Sequence, residues 1–162
     1  MRREAIKLVV AGLTAAALAG CGFRLRGAYA IPYRSIYVDA PAGSKTARQL
    51  ANTLRSQGVT VTDAATDAEV RLKILQENQS RSILALSGGG RVREYRLTYT
   101  LGYSLTAKEG REIYPPTTIQ LSRDFTYDDN QYLAKTAEES FLYRDLQDDA
   151  VQQILRRLSP PR

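Results

Sequence analysis

Glu94-Tyr95-Arg96-Leu97-Thr98-Tyr99-Thr100-Leu101-Gly102-Tyr103-Ser104-Leu105-Thr106 is the stretch that decides the fold. Tyr95, Leu97, Tyr99, Leu101, Tyr103 and Leu105 take one set of alternate positions. Arg96, Thr98, Thr100, Gly102, Ser104 and Thr106 take the other. Six consecutive period-two matches specify a β-strand with one apolar face, because strand side chains point alternately to opposite sides. The tyrosines of this stripe read as a half-buried sheet face rather than a box for a ligand. Lys108-Glu109-Gly110-Arg111 follows as a hairpin turn. The return strand sets Ile119, Leu121 and Phe125 against Thr118, Gln120 and Asp124. Pro115-Pro116 belongs at its start or on a sheet edge, since proline donates no ladder hydrogen bond.

Working toward the N-terminus, Gly88-Gly89-Gly90 breaks the chain, and Ile83, Leu84 and Leu86 precede it. A polar interval, Gln76 to Arg81, separates these from a second alternation of Val70, Leu72 and Ile74 against Arg71 and Lys73. Ser35-Ile36-Tyr37-Val38 and Val59-Thr60-Val61-Thr62 are two short strand candidates. Between them Ala47, Leu50, Ala51 and Leu54 form a helical stripe, with Ser44 as its N-cap and Gly58 as its left-handed terminator. Strand, helix and strand at this spacing predict a parallel unit. The last element is a long helix, preceded by Asp128 and Asp129, with Arg156 and Arg157 at its negative end. Ala137, Phe141, Leu146, Ala150, Ile154 and Leu158 form most of its expected stripe, and Pro160-Pro161 stops it. The expected architecture is an α+β two-layer sandwich: a mixed β-sheet of about four main strands with two helices on one face.

The N-terminus carries a different message. Arg2, Arg3 and Lys7 precede an apolar run that closes on Leu18-Ala19-Gly20-Cys21. A basic region, a short apolar core and small residues make a secretory signal, and the run is too short to span about 30 Å of hydrocarbon. Leu-Ala-Gly-Cys resembles the bacterial lipobox. It implies cleavage before Cys21, covalent acyl chains (palmitate among them) on that cysteine, and a membrane anchor. Gly22, where an Asp favours inner-membrane retention, points to the outer membrane. The chain therefore divides into a lipoprotein signal peptide over 1–20, a lipidated tether over 21–34 and a single domain over 35–159.

Composition narrows the chemistry. The chain of 162 residues has one Cys, no His, no Trp and ten Tyr, with a formal charge of +6. Without His there is no Ser-His or Cys-His relay and no imidazole metal site. Lipidation closes thiolate chemistry at Cys21 and leaves no cysteine for a disulfide. Glu138-Glu139 and Asp148-Asp149 are neighbours, which point about 100° apart on a helix and make no ready acid/base pair. The glycine triplet lacks the spacing of a phosphate loop, and no nucleic-acid motif is present. No catalytic residue, metal site or cofactor is expected beyond the acyl chains, and the chain reads as a binding or scaffolding protein rather than an enzyme. Arg91 and Arg93 after the triplet, with Lys135 near the start of the long helix, are the candidate ligand-binding cations. Clustered guanidinium groups hold phosphate or carboxylate bidentately, and equally blunt a strand end against edge pairing.

These residues together resemble the LPS-assembly lipoprotein LptE (RlpB) family. The resemblance lies in Cys21-Gly22-Phe23-Arg24-Leu25-Arg26, Glu94-Tyr95, Arg111-Glu112-Ile113-Tyr114-Pro115 and Leu133-Ala134-Lys135, in that order. It implies a Gram-negative outer-membrane lipoprotein with an α/β sandwich. Such a protein plugs and helps assemble the LptD β-barrel and binds lipopolysaccharide during its delivery to the cell surface. It also implies basic lipopolysaccharide contacts in the loop before the long strand and at the start of the last helix. Lys135 matches the second; at the first this chain has Gly88, and Arg91 or Arg93 stands in. The family's long polar C-terminal tail is missing. Two further readings stand beside this one. One is a free-standing outer-membrane lipoprotein that binds a cell-wall or other periplasmic ligand. The other is an anchored hydrolase whose carboxylates the fold brings together.

Overall fold

The computed structural model describes residues 29–159. Five strands form one sheet: β1 (Ser35–Asp39), β2 (Thr60–Thr62), β3 (Val70–Leu86), β4 (Val92–Ala107) and β5 (Glu112–Thr126). The spatial order is β2-β1-β3-β4-β5. β1 runs parallel to both β2 and β3, while β3, β4 and β5 form an antiparallel meander. Helix α1 (Lys45–Ser56) joins β1 to β2, and α2 (Tyr132–Leu158) follows β5 through a short 3-10 turn, Asp129–Gln131. Both helices cover the same face of the sheet, as expected, and the strands number five rather than about four. No helix among the described residues is long and apolar enough to cross a membrane.

Local chemistry explains the shorter elements. The Ser44 hydroxyl accepts from the Ala47 N–H and caps α1. Gly58 ends it at φ +83°, where a side chain would be strained. The expected stripe holds: Leu50 and Leu54 are fully buried, and Ala47 lies partly buried against the core. β5 is the edge strand, which is where its prolines are tolerated. The register slips one residue there, between the Tyr103–Thr117 and Leu105–Tyr114 pairs. Residues 29–34, within the stretch read as a tether, already lie against the domain: Tyr29, Ile31 and Tyr33 pack on the core, and the Tyr29 hydroxyl donates to Gln152.

Two expectations are revised. The tyrosine stripe is more than half-buried: Tyr99 and Tyr103 have 0% and 1% exposure, beside Leu97, Leu101 and Leu105. Their hydroxyls keep partners, Thr46 and Glu77 for Tyr99 and the Arg157 guanidinium at 2.9 Å for Tyr103. In α2 the buried stripe is Leu146, Ala150, Ile154 and Leu158 with Val151 and Leu155, and it begins at the partly buried Leu142 and Tyr143. Ala137 and Phe141 point outward, Phe141 at 61% exposure. The step from Phe141 to Leu146 is five residues, which turns a helix by about 140° and leaves the face.

The polar interval from Gln76 to Arg81 proves to be strand. β3 runs unbroken for 17 residues, and a one-residue bulge at Leu75 lets it change face. Before the bulge Val70, Leu72 and Ile74 pair with inward residues of β4. After it Glu77, Gln79, Arg81 and Ile83 oppose Leu101, Tyr99, Leu97 and Tyr95 and face the helices. Leu75 and Gln76 crowd the opposite face at Gly102, where an added Cβ would lie 2.9 Å from Gln76 Cγ. That explains the glycine in mid-strand.

Candidate functional site

The bulge gives Glu77 a structural role. Its carboxylate accepts from the Ser44 hydroxyl (2.6 Å), the Thr46 hydroxyl (2.8 Å) and the Tyr99 hydroxyl (3.1 Å), tying the first turn of α1 to β3 and β4. Burial pushes this carboxyl's pKa up, but the hydrogen bonds from Ser44, Thr46 and Tyr99 outweigh it and hold it below the usual range. Burial raises the Tyr99 phenol, so the carboxylate–phenol pair stays in its hydrogen-bonding form at neutral pH.

The candidate site lies at the far end of the β3–β4 hairpin. There Ser87 and Arg91 close the turn, with the Ser87 N–H donating to the Arg91 carbonyl at 2.7 Å and Gly90 at φ +76°. Arg91 and Arg93 are exposed and line a cleft of about 390 Å³ with Ser87, Tyr127, Asp128 and Asp129. Neither arginine forms an ion pair among the described residues. Lys135 reaches the same end from α2, but its ammonium is engaged. It donates to Glu138 at 2.9 Å and lies 5.4 Å from the Phe125 ring centre, leaving its side chain 17% exposed. Phe125 joins Tyr95 and Tyr127 in an aromatic cluster, with centroid distances of 5.2 to 6.5 Å. The Tyr127 N–H donates to the Arg93 carbonyl. The fold therefore brings the Arg93 backbone and the Lys135 ammonium to one aromatic cluster, with Arg91 at the hairpin tip.

Two groups that sequence reasoning missed complete this end. Arg81 leans over the Tyr95 ring at 4.4 Å and donates to Glu139 at 2.8 Å. Ile83, Leu84, Leu86, Tyr132 and Leu133 are exposed around the pole, Leu133 at 82%. The apolar letters were visible in the sequence; that they share a pole with the cations was not. The neighbouring carboxylates diverge. Glu138 goes to Lys135 and Glu139 to Arg81, while Asp148 goes to Gln49 and Asp149 to Arg123. Neither pair converges on a shared site. Cys21 lies outside the described residues.

The fold and this pole define a class: a two-layer α+β module with one polar open sheet face and one end rich in cations, aromatic rings and exposed aliphatic side chains. The sequence model of the family described as LptE, lipopolysaccharide-assembly, matches residues 33–158, and the chain belongs to that family. It is 31% identical over 163 residues to the LPS-assembly lipoprotein LptE of Pectobacterium atrosepticum, covering 98% of this chain and 86% of the relative. Among solved structures it resembles lipoprotein B from Nitrosomonas europaea, at 38% identity and a TM-score of 0.74 over 85% of this chain and 90% of that one. It also resembles the rare lipoprotein B from Shewanella oneidensis, at 27% identity and a TM-score of 0.68 over 76% and 92%.

Proposed function

We propose that this chain is an outer-membrane lipoprotein, anchored through acyl chains on Cys21, that plugs and helps assemble an LptD-type β-barrel. It binds lipopolysaccharide at the pole carrying Arg91, Arg93 and Lys135. It acts without catalysis and without a cofactor beyond its acyl chains. The observation that carries this reading is the coincidence, at one end of the fold, of cations with exposed aliphatic and aromatic side chains. A phosphorylated glycolipid offers matching chemistry, because its phosphates take charge-assisted hydrogen bonds and its acyl chains cover apolar surface.

The open sheet face fits a barrel wall. Thr60, Thr62, Asn78, Ser80, Ser82, Thr98, Thr100, Ser104, Thr118, Gln120 and Ser122 lie there by register, and Arg96 is bidentately paired to Asp124 at 2.8 and 3.0 Å. Asp39, Arg71 and Lys73 share this face, and such a polar, hydrogen-bonding surface suits a polar lumen. The anchor geometry is consistent with it. Eight residue steps separate Cys21 from Tyr29, a reach of at most about 29 Å. Tyr29 packs beside Gln57, at the end of the sheet where β3 begins. β3 then runs 17 residues, roughly 55 Å, to the cationic pole. With the strands along a barrel axis, a domain tethered at one end and this long would reach past a hydrocarbon layer of about 30 Å.

Mild-detergent pull-down of the tagged full chain from outer membranes tests the partner. Stoichiometric recovery of an LptD-type barrel is the expected result; recovery alone or with peptidoglycan fragments overturns it in favour of a free-standing binding protein. The triple variant Arg91→Ala, Arg93→Ala, Lys135→Ala tests the contacts. Wild-type affinity for lipopolysaccharide at physiological salt would remove these residues from the site.

A further inference from the structure

We propose that Arg81, held against the Tyr95 ring beside these cations, is a phosphate-seating residue for an anionic amphiphile. The proposal deepens the lipopolysaccharide reading and rests on it for the identity of the ligand.

The argument starts with position. Only because β3 bulges at Leu75 does Arg81 sit on the helix side, opposite Leu97, with Ile83 opposite Tyr95 two residues on. Its guanidinium is 4.4 Å from the Tyr95 ring centre, and one N–H bonds to Glu139 at 2.8 Å. Tyr143 fixes the same strand by donating to the Ser80 carbonyl at 2.8 Å.

The paired cations nearby are held differently. Arg96 gives its Nε–Nη2 edge to Asp124 as a bidentate pair, Arg123 is shared between Asp149 (2.6 Å) and Asp145 (3.6 Å), and Lys135 is mostly covered. Arg81 keeps 44% of its side chain exposed, and four of its five N–H groups have no acceptor among the described residues. A planar cation fixed by its ring face and one edge, with its other donors open, is organised in advance for a bidentate oxyanion. It loses little rotamer freedom on binding. Exposed Ile83 and Tyr132, at 58% and 60%, supply apolar contact nearby, which selects an amphiphile over a free anion. Glu139 is then a competitor as well as a positioner, because its carboxylate occupies part of the edge a phosphate would take.

The test uses the full lipidated chain in detergent, with three probes: rough-type lipopolysaccharide, the same material after phosphatase treatment, and phosphatidylglycerol vesicles. Binding is read at physiological salt for wild type, Arg81→Gln, Arg81→Lys and Glu139→Gln, with thermal melts in parallel. Arg81→Gln is expected to lose about tenfold or more in affinity for intact lipopolysaccharide and to bind the dephosphorylated form as wild type does. Glu139→Gln is expected to bind the intact form at least as tightly as wild type, despite a lower melting temperature. Equal losses on both forms, or a Glu139→Gln loss matching that of Arg81→Gln, would reduce Arg81 to a structural link between β3 and α2 and overturn the proposal. Wild-type affinity in Arg81→Gln would overturn it while leaving the lipopolysaccharide reading intact. Arg81-dependent binding to phosphatidylglycerol alone would support the phosphate site and overturn lipopolysaccharide as its ligand.

Discussion

Replacing Glu77 by Gln isolates the charge that locks α1 to the long hairpin. In the native fold Oε1 accepts from the Thr46 hydroxyl at 2.8 Å and the Tyr99 hydroxyl at 3.1 Å, and Oε2 accepts from Ser44 at 2.6 Å. The amide keeps the shape and one acceptor, so Thr46 and Tyr99 remain paired. The Ser44 hydroxyl turns to accept from the new NH₂. What is lost is the charged character of the bonds, worth about 1–2 kcal/mol. For a domain of this size that lowers the melting temperature by roughly 3–8 °C. The sign with pH follows from the lowered folded pKa. A depressed carboxyl contributes stability that is fully present above its unfolded value of about 4.3 and is lost as pH falls through the folded value. Urea unfolding of wild type and variant across pH 3–7 should therefore show a gap near neutrality that closes at the acid end. Titration of the other groups cancels in the difference. A gap that stays constant to pH 3, or a Gln variant as stable as wild type at pH 7, would refute the lock.

Ile154→Ala removes a side chain with no exposed surface between α2 and the sheet and should cost about 2–5 kcal/mol in urea unfolding; a cost below 1 would mean that the helix is held elsewhere. Gly102→Val should cost about 1–3 kcal/mol, because its Cβ meets Gln76 Cγ at 2.9 Å, and Gln76→Ala in the same chain should recover part of the loss in melting temperature. Arg123→Ala breaks the pair with Asp149, whose side chains are 41% and 47% exposed, and should cost no more than about 1 kcal/mol, shrinking further in high salt.

Features governed by near neighbours in sequence were legible. Ser44 caps the helix it precedes, Gly58 takes the positive φ that ends it, and the period-two run from Tyr95 to Leu105 is the buried strand β4. Each rests on a local rule, in which spacing alone dictates which way a side chain points. The α2 stripe was misread where that rule was relaxed, by stepping five residues from Phe141 to Leu146. The true series, Leu142, Leu146, Ala150, Ile154 and Leu158, was present in the letters. Of the candidate site, the charges were legible and their engagement was not. The Lys135–Glu138 pair is a local i,i+3 contact, but nothing local says that Lys135 will lie over Phe125, or that Arg91 and Arg93 will share a cleft with Asp128 and Asp129. The first depends on how α2 crosses the hairpin, the second on how the end of β5 lies beside β4.

The bulge at Leu75 decides the rest, because it sets the parity of β3 from Gln76 to Ile83. In uniform alternation from Val70, the side chains facing the helices would be Gln76, Asn78, Ser80 and Ser82. Glu77 would then point away from Thr46 and Tyr99, and Arg81 away from Tyr95 and Glu139. One extra residue moves Glu77 under the α1 cap and Arg81 onto the aromatic cluster together. The same residue crowds the opposite face and accounts for Gly102 in a strand that would otherwise favour a β-branched side chain. The element that stabilises the junction of helix and hairpin and the element that builds the cationic pole are thus fixed by one register choice. A strand too polar in its second half to be recognised by alternation is polar there because those side chains serve the lock and the pole instead of the core.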